Sequence, residues 1–423
     1  MPASTLRIAL LCAAVLFFHG AAHPQHWVNP SFETHRLDIR DLGYPEVNQV
    51  PANSSAITSL LAASNGSIYG GTSGEEAYLF LYDASINKAR HLGRLPGEQG
   101  IHHALVEDAS GMLYLGTGKN VFREVELSRT PKPGSNGVAA SLWEDVKRPY
   151  ASYSGGHLFR YDPKTGDRQV PFPQDRCPVE DLGIPVANNG IYALEIDAAA
   201  GVIYGISYPD GRLFAYDIAQ KKSRDLGEID SDVIFHGPER EWRSLPRALV
   251  VGDEHRVYTS GKSGYLVYYD PKDGEIHTTG LRLPGGEYYQ VQAYTGHPVV
   301  EAFVKADNGV IYGASCDGFL FSFDARKGKL TNLGKPRVSR RVRALGMSRG
   351  RVYLVAGERI DSCRLFSFDP EGDGFRDLGV LAVDRSPYYS WRGHQFDAMA
   401  TGPDGTVYIG ESERRSHLFL YMP

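Results

Sequence analysis

The sequence of 423 residues predicts an all-β fold, a seven-bladed β-propeller, from three recurring phrases. The first is Val-Ile-Tyr-Gly or a close variant, with its tyrosine at Tyr69, Tyr114, Tyr204, Tyr258, Tyr312, Tyr353 and Tyr408. The second is Leu-Phe-x-Tyr/Phe-Asp at 79–83, 158–162, 213–217, 266–270, 320–324 and 365–369, with a last copy at 418–421 that lacks its Asp. The third, Asp-Leu-Gly or similar, closes most units, at Gly93, Gly183, Gly227, Gly280, Gly334 and Gly379. Each phrase alternates apolar and polar residues and is rich in β-branched and aromatic types, which is strand patterning. Turn residues lie between them, as in Asp162-Pro163-Lys164-Thr165-Gly166. A further apolar segment precedes the Tyr-Gly phrases, as at 104–106, 193–196, 248–251, 302–304 and 344–347. Four strands per unit in a repeating array define a propeller.

The ends fit the same scheme. The last unit stops after 418–421 without an Asp-Leu-Gly, while Asp41-Leu42-Gly43 stands alone near the start. The N-terminal strand is therefore expected to complete the last blade and close the ring, which removes open strand edges. One propeller domain is expected over 23–423, behind a signal peptide at 1–22. Arg7 supplies the positive region, 8–18 is an unbroken apolar run, and Gly20-Ala21-Ala22 offers small residues for cleavage. The run is too short to span a bilayer, so the expected location is secreted or periplasmic.

Net charge is −5 and the isoelectric point about 6.3, which suggests neither a nucleic-acid nor a membrane partner. The chain is expected to act as a monomer. Cys177, Cys316 and Cys363 fall in different repeats, so the core does not depend on a dense disulfide framework. No CxxC or HExxH occurs. The repeat is interrupted once. In the second blade the stretch 119–153 is inserted between the Tyr114 and Leu158 phrases. It is either a tolerated surface insertion or a wall beside a binding site.

Inner strands of a propeller start at one rim of the central channel. The residue just before the recurring Ala marks that start. Blade by blade it reads Ser59, His103, Tyr192, Arg247, Glu301, Arg343 and Asp397. All are polar or ionisable, and their convergence makes either a self-paired polar plug or a pocket tuned for chemistry. Loops at the same rim carry His236, Trp242 and Arg243, then Tyr288, Tyr289 and His297, then Tyr388, Tyr389, Trp391, Arg392 and His394. Aromatic faces stack on sugar rings, and arginines pair with carboxylate or sulfate. Tyr265 joins the candidate binding residues.

The repeat units, Ile101-His102-His103-Ala104-Leu105-Val106 and Gly155-Gly156-His157-Leu158-Phe159-Arg160-Tyr161-Asp162 resemble the seven-bladed propeller polysaccharide lyases, over essentially the whole chain after the signal peptide. These comprise the ulvan lyases and the rhamnosyl-glucuronate lyases, in a clan that includes α-L-rhamnosidases. The resemblance implies β-elimination at a glucuronic acid within an acidic polysaccharide or oligosaccharide. That chemistry needs a group facing the C6 carboxylate, a base for the C5 proton and an acid for the leaving O4. It requires no cofactor. The family's His and Tyr at the heads of successive inner strands are matched by His103 and Tyr192, which would share the acid and base roles. A second His is matched best by His157. The family's carboxylate-binding Arg falls here on Tyr208, a departure. Arg247 could take over that task, with Arg343 next. The departure points away from ulvan and toward rhamnosyl-glucuronate caps.

Two rivals stand beside this reading. A hydrolase of the same clan would carry its catalytic His on the opposite face, near the start of the chain. There, His23, His26 and His35 all precede the first Asp-Leu-Gly, and 44–49 contains none. Ordinary glycosidases use paired carboxylates, for which Glu301 and Asp397 are the candidates. The other rival is a non-catalytic carbohydrate-binding propeller, since fold does not decide function. His103, His157, Glu301 and Asp397 are also ligand types that suit a structural Ca2+ or Zn2+, although no spacing fixes such a site.

Overall fold

The computed structural model describes residues 27–28, 37–41, 50–120, 148–169, 175–229, 235–236, 241–242, 245–285, 298–337, 341–358, 361–372, 374–385, 389–413 and 416–423. Among the described residues, six four-stranded sheets and one five-stranded sheet make seven antiparallel blades, and two two-stranded sheets, Phe235–His236 with Glu241–Trp242 and Ala382–Arg385 with Tyr389–Arg392, stand beside them. Blade 1 runs from the inner strand Ala56–Ala62 through Ile68–Ser73 and Ala77–Asp83 to the outer strand Lys88–Leu95. Blades 2 to 6 have their inner strands at Leu105–Glu107, Gly190–Asp197, Val250–Val251, Val300–Lys305 and Val342–Ser348. Their outer strands are Val179–Asp181, Lys222–Glu228, Glu275–Arg282, Lys329–Gly334 and Gly374–Val380. Blade 7 is built from Phe396–Thr401, Val407–Glu411 and His417–Tyr421. Its fourth strand is Leu37–Asp41, which pairs antiparallel with His417–Tyr421 in the register Leu37 to Tyr421 and Asp41 to His417.

The recurring phrases have a packing logic. In three blades the glycine after the repeated tyrosine lies opposite the phenylalanine of the Leu-Phe phrase: Gly70 pairs with Phe80, Gly205 with Phe214 and Gly313 with Phe321. A Cβ on Gly70 would come within 2.2 Å of the Phe80 ring, so glycine leaves the space that the ring fills. The Asp-Leu-Gly phrase is a β-bulge in the outer strand. Gly227 stands at φ 115° and Gly379 at φ 131°, conformations that favour glycine. The aspartate two residues earlier accepts the glycine N–H, as Asp225 does from Gly227 and Asp377 from Gly379, both at 3.0 Å.

Between blades, buried aromatic and aliphatic side chains form the core. Tyr69, Leu79 and Leu81 of blade 1 pack with Leu105, Leu113 and Tyr161 of blade 2. Cys177, Cys316 and Cys363 are all buried and in no disulfide. Burial pushes the thiols of Cys177 and Cys363 up, which makes both poor nucleophiles. Among the described residues no helix is long and apolar enough to cross a membrane.

Candidate functional site at the head of the central channel

The inner strands share one irregularity that aims a side chain at the axis. Register shifts fall between Ile57 and Ser59, Ile191 and Ala193, Val300 and Ala302, Val342 and Ala344, and Phe396 and Ala398. The bulged residues are Thr58, Tyr192, Glu301, Arg343 and Asp397. His103 and Arg247 hold the same place before the short inner strands of blades 2 and 4, where Leu105 pairs with Leu115 and Val250 with Tyr258. This corrects the sequence reading in blade 1. The small residue after the bulge is Ser59 rather than Ala, which shifts that alignment by one, and Thr58 is the residue in register. Its hydroxyl donates to the Ile101 carbonyl at 2.8 Å and lies 2.7 Å from Ser73 Oγ.

Three guanidiniums meet two carboxylates in this ring. Arg247 reaches Glu301 Oε2 at 3.1 Å and Asp397 Oδ1 at 3.0 Å. Arg343 reaches the same Asp397 oxygen at 3.1 Å. Arg341, which the repeat alignment did not single out, donates to the other oxygen of Glu301. All five residues are buried. Asp397 also accepts from Gln395 Nε2 at 3.0 Å and from the Ser412 hydroxyl. Burial alone would raise the Asp397 carboxyl, but Arg247 and Arg343 hold it well below the usual carboxylate range. Glu301 and Asp397 are thus each bound to two arginines.

His103 and Tyr192 stand beside this cluster, ring centroids 6.2 Å apart and planes 87° apart. His103 Nε2 is buried and has no hydrogen-bond partner. Burial holds the imidazole well below its ordinary pKa, and the positive charge of Arg247 adds to the effect. The ring is therefore neutral near pH 7. Burial raises the Tyr192 phenol, which stays protonated. Tyr208 lies 5.4 Å from Tyr192 and 5.7 Å from Tyr150, and Tyr150 lies 5.9 Å from Tyr153. Tyr150 and Tyr153 belong to the end of the inserted stretch, so the insertion contributes an aromatic wall next to Tyr192. Tyr153 in turn donates to the buried Glu98 carboxylate at 2.7 Å. Glu98 escaped the sequence reading because it precedes the repeat position by several residues. His102 accompanies His103 from the other side, with Nε2 at 2.8 Å from the Lys119 carbonyl.

Other candidates fall elsewhere. His157 pairs with Asp181 at 2.9 Å and stacks on Phe159. Tyr265 is exposed at the start of its strand and does not line the channel. His157 does not line the chamber that His103, Glu301 and Asp397 share, and among the described residues no group of three or more His, Cys, Asp or Glu could hold a metal ion. Of the rim loops, Arg243, Tyr288, Tyr289, His297 and Tyr388 lie outside the described residues, as do His23, His26, His35, the stretch 44–49 and the signal segment. Two residues further along each inner strand, Leu60, Leu105, Leu194, Leu249, Phe303, Leu345 and Met399 make an apolar collar. His103, Arg247, Glu301, Arg343 and Asp397 of the ring line, with this collar, a chamber of about 200 Å³, whereas Thr58 and Tyr192 do not line it.

The fold and site define a seven-bladed β-propeller with a buried polar ring at the head of its channel. No family model and no curated protein matches the chain. Solved structures resemble it in fold. The extracellular domains of two hybrid two-component systems of B. thetaiotaomicron align over 91% and 87% of the chain, with TM-scores of 0.55 and 0.50 and identities of 11% and 13%. The chain spans only 40% and 39% of those two proteins' length. The β-propeller domain of Cps50 (Swd1) from Myceliophteria thermophila aligns over 87% of this chain and 97% of its own, with a TM-score of 0.52 and 10% identity. At such identities the likeness is one of fold alone.

Proposed function

We propose that the protein is an exported polysaccharide lyase that cleaves a glycosidic bond to glucuronic acid by β-elimination. One observation carries this reading: His103 presents a neutral imidazole with a buried, unpartnered Nε2, edge-on to a protonated Tyr192. A neutral ring nitrogen is a base and a protonated phenol is an acid. His103 takes the C5 proton, the C5–H electrons form the C4–C5 double bond, and the C4–O4 bond breaks. Tyr192 supplies the proton to O4. Transfer of the captured proton from His103 to Tyr192 resets the pair. Arg247, whose charge acts on both His103 and Tyr192, takes the role of facing the uronate C6 carboxylate, with Arg343 as the next choice. The resemblance to the rhamnosyl-glucuronate lyases supplies the substrate class, and a soluble chain acting as a monomer on an acidic glycan is the expected form.

A second reading rests on a specific observation too. Arg247 and Arg343 are buried and already bonded to Glu301 and Asp397, as in a self-satisfied plug. In such a propeller the ring is structural, and any glycan would be bound elsewhere without being turned over. The test is ultraviolet absorbance during mixing with ulvan, gum arabic and a plain polyuronate. A rise marks the unsaturated uronate and supports the lyase. Release of free rhamnose without a rise would support the hydrolase of the same clan, and neither signal with any substrate would support the non-catalytic binding propeller.

A further inference from the structure

Past Phe303, Leu345 and Met399 the channel opens into a second cavity, of about 370 Å³, at the mouth away from the polar ring. Those three side chains and Met347 form its apolar floor. Gly346 keeps it open, since a Cβ there would stand 2.9 Å from Met399 Sδ and 3.1 Å from Thr401 Oγ1. The polar groups at this mouth divide by sign. The cations are occupied: Lys305 Nζ bonds Asp253 at 2.7 Å and the Val251 carbonyl at 3.3 Å, and Arg349 donates to the Pro423 carbonyl. The acceptors are not. Thr401 Oγ1 is buried without a hydrogen-bond partner. The exposed Asp307 makes no ion pair among the described residues.

A second carboxyl lines the adjoining chamber. Glu195, on the inner strand of blade 3, lines the chamber that shares Phe303, Leu345 and Met399 with this cavity. Its side chain accepts one hydrogen bond, from the Ile196 N–H at 3.2 Å. Burial pushes its pKa up to about 7, more than that bond and the charge of Lys305 bring it down.

We propose that this half of the channel binds a small aliphatic diamine, one ammonium at Asp307, the other at Glu195, and the methylenes along Phe303, Leu345 and Met399. An ammonium has donors only, which is what the uncommitted acceptors lack. Methylenes match the floor, and the Phe303 face adds attraction for a cation. An anion would meet two carboxylates, and a neutral polyol would leave both without a counter-charge. The cavity has the size of a small-ligand pocket, roughly 300 Å³ or more. Nothing in this proposal depends on the lyase reading.

Calorimetric titration of the full chain with cadaverine and with pentanediol tests it. Cadaverine should bind and the diol should not. Glu195→Gln and Asp307→Asn should each weaken cadaverine by about tenfold or more, the scale of a charge-assisted hydrogen bond. Gly346→Val should abolish binding by filling the cavity. Thermal melts check that each variant folds, and the near-isosteric Glu195→Gln carries the test if Gly346→Val does not. The proposal fails if the diol binds as tightly as the diamine, if neither binds, or if Glu195→Gln changes the affinity by less than about twofold.

Discussion

The rings of His103 and Tyr192 meet edge to face across two neighbouring blades, 6.2 Å between centroids. If that pair does the chemistry, the two side chains fail differently from packing residues. His103→Ala and Tyr192→Phe should each lower turnover by roughly 10²–10⁴-fold, the usual worth of a positioned acid or base. Glycan affinity should stay close to that of the unaltered chain. Initial rates and equilibrium binding on the same samples separate the two. If His103→Ala weakens binding while no turnover exists to lose, the binding propeller is the correct reading.

The buried ring makes a stability prediction that holds whatever the chemistry. Asp397 is shared by Arg247 and Arg343 at 3.0 and 3.1 Å. Asp397→Ala removes the carboxylate and leaves two buried guanidiniums facing each other. Breaking a buried pair in this way costs about 3–5 kcal/mol. Asp397→Asn keeps an acceptor and should cost less. Urea unfolding measures both, and a loss of under about 1 kcal/mol for Asp397→Ala would mean that the ring is solvated like a surface pair.

Acid should loosen the fold through its neutral histidines. Burial lowers His102 from an ordinary 6.5 to about 4 and also lowers His91, whose two ring nitrogens are buried without partners. With the folded pKa below the unfolded one, the unfolded chain binds the proton first. Stability is therefore intact above pH 6.5 and falls as pH drops toward 4. His102 alone accounts for about 3 kcal/mol over that range, at ~1.4 kcal/mol for each pH unit. His102→Gln should flatten part of the slope in melting temperature between those limits. A melting temperature independent of pH there would refute the assignment.

The sequence exposed the blades because each repeated phrase answers a local packing need that recurs. Gly70 and Phe80, or Asp225 and Gly227, are legible as pairs at fixed spacing. The ring was legible for the same reason, except where the marker itself varied. Ser59 replaces the small alanine after the bulge, so Thr58 went unrecognised. Arg341 was missed because its place in the ring comes from a contact to Glu301 in the neighbouring blade, which no repeat encodes. Tyr150 and Tyr153 reach Tyr208 and Glu98 from an insertion that has no counterpart in other blades, so only the folded chain shows where they end.

The same logic extends to the N-terminal strand. Leu37 is fully buried and packs with Leu381, Val407, Phe419 and Tyr421, though it lies far from them in sequence. The strand Leu37–Asp41 gives the last blade its fourth member, and without it His417–Tyr421 would present an unpaired edge. Leu37→Ala should cost about 2–5 kcal/mol, the range for a buried leucine whose site cannot fully collapse. Pairing with Leu37–Asp41 also covers the edge of His417–Tyr421 that would otherwise template association. Replacing Leu37 with Asp, which cannot be buried there unpaired, should therefore release the strand and convert the protein to concentration-dependent aggregates. Light scattering during a slow thermal ramp distinguishes the outcomes. Scattering that rises only with global unfolding, at an unchanged midpoint, would show that the strand contributes little to holding the ring.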